Sequence, residues 1–183
     1  VKRIFLPLAL ISLLLLAGAF LLGLMIEDAA QRSLSHQVDY HMWTALTGLL
    51  FVTLVHGLVL TYFVGTGRWA EETVRVYGLD IELYTASRGS KRRIMATILG
   101  GFVLLVVAGS LGAAADPASP VGFSGVLGLS PPTLHLLAAT TALLTNGWIY
   151  LMEYDALDRH ARLIEEIMSE VRRIRDERGL DSN

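Results

Sequence analysis

Five histidines and one acid carry most of the chemical interest in this chain. His56 lies inside "TLVHGLVL", residues 53–60, and His135 inside "TLHLLAATTALL", residues 133–144. Neither stretch holds an Asp, Glu, Lys or Arg. An ionisable group in such surroundings is costly, which marks it as a candidate for function. Two imidazoles facing one another suit the axial positions of a haem b iron. The same groups could bind a quinone or a proton, or simply hydrogen-bond across a helix bundle. A second cluster, His36, Asp39 and His41 in "HQVDYH", offers nitrogen and oxygen donors to a divalent metal. Its spacing matches no strong ligand motif, so an exposed polar loop competes with that reading. His160 sits among charged residues and is expected to be solvated. No cysteine is present, which excludes disulfides, thiolate metal sites and Cys nucleophiles.

The elements that must hold these residues are four windows free of charged side chains: 4–26, 42–67, 94–115 and 133–152. Each reaches the roughly 20 residues that cross about 30 Å of hydrocarbon at about 1.5 Å per residue. Hydrocarbon cannot satisfy bare backbone groups, so each is expected to be a helix. The composition agrees: 53% of the chain is hydrophobic and 17% charged, against about a quarter charged in soluble domains. The fold class expected is an all-α integral membrane protein, an up-down-up-down bundle of four transmembrane helices over residues 1–152. The first window has a basic start and an Ala17-Gly18-Ala19 stretch, the marks of a signal peptide. Seven apolar residues follow Ala19, so an uncleaved anchor is the better reading.

Lys and Arg set the orientation. With residue 1 inside, segments 1–3, 68–93 and 153–183 hold all of the chain's Lys and Arg except Arg32. Both ends of the sequence are therefore expected in the cytoplasm of a bacterial cell, with the bundle in the inner membrane. "GTGRW", residues 65–69, then marks the inner headgroup level, with Trp69 as interfacial anchor and Arg68 reaching lipid phosphate. Trp148 is expected to anchor helix four at the same depth, just before Glu153. The pattern of a phosphate loop is absent, which leaves helix packing as the use of Gly65 and Gly67. The net charge of −2 gives no reason to expect a nucleic-acid partner.

Inside, helices two and four are expected to extend into the cytoplasm, helix two through the inner loop 68–93 as far as Gly89. From Glu153 onward, Leu157, Ile164 and Val171 fall seven apart, with Ile167 and Ile174 on the same stripe. That stripe must cover something: helix two of the same chain, a second copy, or another subunit. A docking surface without a nucleophile–base set suggests a non-catalytic membrane subunit or scaffold that binds a partner through its cytoplasmic helices. The alternative is an electron-transfer subunit holding haem b or quinone at His56 and His135. Depth argues against one iron between those two. His56 lies twelve residues before Arg68 and His135 eighteen before Glu153, a difference of about 9 Å at 1.5 Å per residue. By the same count His41 and His135 are mismatched the other way.

Overall fold

The computed structural model describes residues 1–31 and 35–180, except for the side chains of residues 86 and 87. Arg32, the basic residue outside the inner segments, lies outside the described residues. The fold is all-helical among them: α1 Lys2–Leu24, α2 Ser35–Tyr77, α3 Ile81–Ala115 and α4 Pro131–Glu177. Three helices, α1, α2 and α3, are long and apolar enough to cross a membrane. The fourth window is helical too, but it does not reach that standard. His135, Asn146 and four threonines dilute its hydropathy.

Helix α1 packs chiefly on α2, and α3 on α4, so the bundle is two hairpins side by side. Its upper core draws Phe5 and Ala9 from α1, Val55, Val59 and Phe63 from α2, Ile94 and Ile98 from α3, and Ile149 and Leu157 from α4. The outward faces are as apolar as the core. Leu14, Leu50, Leu144 and Leu151 are each more than 60% exposed. Soluble monomers rarely expose apolar patches beyond a few hundred Å², whereas a lipid solvent leaves such a belt at no cost.

The chain leaves α2 earlier than its apolar pattern suggests. Gly78 adopts a φ of +66°, and the Leu79 N–H returns to the Val74 carbonyl. That is a left-handed C-terminal stop, where glycine avoids the Cβ penalty. Asp80 then caps α3, its side chain accepting from the Glu82 N–H. The expected extension of α2 to Gly89 is thus replaced by a tight turn, and residues 81–93 belong to α3. Ser130 caps α4 in the same way, with Pro131 and Pro132 in its first turn.

Below the apolar windows a second core forms from Ala70 and Val74 of α2 with Ile167 and Val171 of α4, closed by Leu79 and Leu83. The stripe of α4 therefore covers its own chain. Leu157, Ile167 and Val171 are buried, while Ile164 and Ile174 are half-buried. Ile167 is completely enclosed, so Ile167→Ala is expected to cost about 2–5 kcal/mol. Hydrogen exchange should show the loss as faster exchange confined to the 68–80 and 160–177 amides.

Candidate functional site

Polar side chains occupy three levels inside the bundle. At the deepest, the His56 ring is fully enclosed between Phe102, with centroids 5.4 Å apart, and Tyr150, at 5.3 Å. Its Nδ1 lies 2.7 Å from Glu153 Oε1. Asn146 donates its amide to the Ala142 carbonyl at 2.8 Å, which turns its Oδ1 toward His56 Nε2, 3.4 Å away. An amide oxygen only accepts, so Nε2 carries a hydrogen. The Nδ1–Oε1 contact then holds one further proton, on the nitrogen as an ion pair or on the oxygen as a neutral pair. Among the described residues Glu153 Oε2 is buried without a hydrogen-bond partner. Beside this pair Ser12 and Tyr150 share a 2.6 Å hydrogen bond. Both nitrogens of His56 are thus engaged by protein, which leaves no position for an iron.

Toward the other end, His41 of α2 and His135 of α4 meet edge to face, with ring centroids 5.9 Å apart and planes at 84°. His41 Nδ1 is 2.8 Å from the Ala19 carbonyl of α1. His135 Nδ1 is 2.9 Å from the Ala108 carbonyl of α3. A carbonyl can only accept, so each ring donates from Nδ1 and, when neutral, keeps its Nε2 lone pair. One turn past each carbonyl is a glycine that the ring lies against. A Cβ on Gly23 would stand 3.0 Å from His41, and one on Gly112 would stand 2.9 Å from His135.

The match between the halves extends into sequence. "H-x-x-x-A-x-T-[GA]-L-L" runs from His41 to Leu50 and again from His135 to Leu144. Each half thus carries the same His-to-carbonyl contact and the same glycine one turn on. Sequence reasoning missed this ten-residue echo.

The third level joins α2 to α4 beyond the 133–152 window. His160 is 2% exposed, not solvated as its charged neighbours suggested. Its ring stacks on Phe63 with centroids 4.7 Å apart. Thr66 gives its hydrogen to the Tyr62 carbonyl at 2.6 Å. Its oxygen therefore accepts from His160 Nε2–H, also at 2.6 Å.

These levels correct the depth arithmetic. Glu153 is not the counterpart of Arg68: it faces inward beside His56, twelve residues above Arg68. His135 then counts to within three residues of His41's level, where their rings meet, and the fifteen residues from His41 to His56 put His56 about 22 Å away. His56 and His135 do not share a site. Trp148 and Trp69 likewise stand about 27 Å apart along the bundle, so they do not anchor one interface. Arg68 is exposed and paired with Glu72. His36 turns to Tyr40, and among the described residues no three His, Asp or Glu side chains gather as metal ligands. Glu153 was read as a boundary marker, although its i,i+7 spacing from Asn146 sets both on one helix face. No protein-family model matches the chain, and no curated protein or solved structure is similar to it.

Proposed function

We propose that this chain is a four-span protein of a bacterial inner membrane, both ends cytoplasmic, and an electron-transfer subunit that holds one haem b between His41 and His135. The observation that carries the reading is the facing imidazole pair with both Nδ1–H groups tied to backbone carbonyls. Such a bond fixes the tautomer and ring orientation of a metal-binding histidine and raises its basicity. With two protein ligands available, the metal must bring the rest of its coordination, as haem does. Ala45 and Gly48 on α2, and Ala138 and Ala142 on α4, follow the two histidines on the same faces, and Gly48 packs against Leu15 and Leu16 of α1.

Haem would supply a one-electron carrier. The protein's part is to present two neutral imidazoles, hold their planes, and surround them with apolar side chains. The arginine-rich inner segments support the orientation, and the exposed apolar belt supports immersion in lipid. A lone carrier needs a donor and an acceptor, so its partners are proposed to be other membrane subunits or a second copy of the chain. Docking through the α4 stripe is not part of this reading, because that stripe is covered. A reduced-minus-oxidised spectrum of the protein purified from membranes tests it. A Soret band with one haem per chain is the expected result; a folded, colourless protein that takes up no added haem is the opposing one.

A further inference from the structure

A groove runs between α2 and α3 at the level where both helices leave the apolar windows. Arg68 stands on its α2 wall, and Arg88, Lys91 and Arg92 on its α3 wall. The three cations of α3 fall on one face, because residues three and four apart are neighbours on a helix. A second hollow continues past Arg88 and Arg92 to Arg93. Among the described residues, none of Arg88, Lys91, Arg92 or Arg93 forms an ion pair, while Arg68 is paired with Glu72. The groove's own carboxylate is Glu71, so the excess positive charge is uncompensated by protein.

The other end of the groove is apolar, with Val64 on α2 and Met95 on α3. Cations at one end and hydrocarbon at the other describe an amphiphile. A free anion would leave the Val64–Met95 end unfilled, and a soluble acidic segment would leave it against water.

From this we infer that the α2–α3 groove is a binding site for a phospholipid with an anionic headgroup. Its phosphate lies among Arg88, Lys91 and Arg92, and its acyl chains run along Val64 and Met95. Basic pockets between transmembrane helices on the cytoplasmic side favour such lipids. The inference rests on the membrane reading above but is independent of the haem.

Trp69, one residue from Arg68, is the probe. Trp43 and Trp148 are both 64% exposed and can be replaced by phenylalanine without opening the core. Quenching of Trp69 is then followed in vesicles as brominated phosphatidylglycerol or brominated phosphatidylcholine is titrated against its unbrominated form. The anionic lipid is expected to quench at several-fold lower mole fraction. Arg88→Gln and Arg92→Gln should each reduce that preference about fivefold, while Arg162→Gln on the outer face of α4 leaves it unchanged. Excess inorganic phosphate should not displace the lipid. Equal quenching by the two lipids overturns the site. Displacement by inorganic phosphate replaces the lipid with a soluble anion and overturns it as well. Absence of quenching by either lipid overturns the membrane placement itself, which separates the two failures.

Discussion

Either His41→Ala or His135→Ala is expected to abolish the Soret band altogether, while His56→Leu leaves it in place. The asymmetry follows from what each ring touches. His41 and His135 face one another with their Nε2 lone pairs kept, and losing one removes an axial ligand outright. His56 has both nitrogens engaged by Glu153 and Asn146, so its loss disturbs packing about 22 Å away along α2. Gly112→Leu supplies a control that spares both ligands. Its Cβ alone would come within 2.9 Å of His135 Cε1, so the ring must swing off the Ala108 carbonyl. Haem content should drop severalfold while helicity by circular dichroism stays at the wild-type value. Retention of the full band in both alanine variants would remove the assignment, whatever else the protein binds.

The helices were legible because the hydrocarbon length rule and the absence of charge act on each window separately. The site was harder because it depends on how the windows slide past one another. Charge was used as a depth gauge, with Arg68 and Glu153 taken as marks of one level. Glu153 breaks it, because an acid can lie deep when a histidine meets it. Once Glu153 is matched to His56 instead of Arg68, the apparent offset between His41 and His135 shrinks from nine residues to three. The repeat around the two histidines carried the same information in the sequence, since equal spacing from each His to Leu-Leu implies equal depth. Gly78 shows the other limit. Its cost as a helix residue was visible, but its use as a left-handed stop depended on Asp80 standing two residues later to cap α3. The stripe on α4 was read as a face that must cover something, and the fold sets Ile167 and Val171 against Ala70 and Val74 of α2.

The His56–Glu153 pair gives the largest expected effect on stability. Removing one member of a buried pair strands the other, at a cost of about 3–5 kcal/mol. Glu153→Leu leaves Nδ1 of a fully enclosed imidazole facing a methyl group, and His56→Leu leaves both carboxylate oxygens without partners where Oε2 already has none. The double variant removes the polar atoms together and fills much of the same volume, so it should cost far less than the sum. A coupling energy of about 2 kcal/mol or more is expected from chemical unfolding in detergent, analysed as a double-mutant cycle. The magnitude also identifies the state of the shared proton. Ordinary hydrogen bonds between membrane helices average about 0.6 kcal/mol. A coupling of that size would mean a neutral carboxyl donating to a neutral ring, with no buried charge to strand. Several kilocalories would mean the proton resides on Nδ1 and the carboxylate is ionised. The infrared carbonyl stretch of a protonated acid, present in the wild type and lost in Glu153→Gln, reads the first case directly. Its absence at every pH where the protein is folded reads the second.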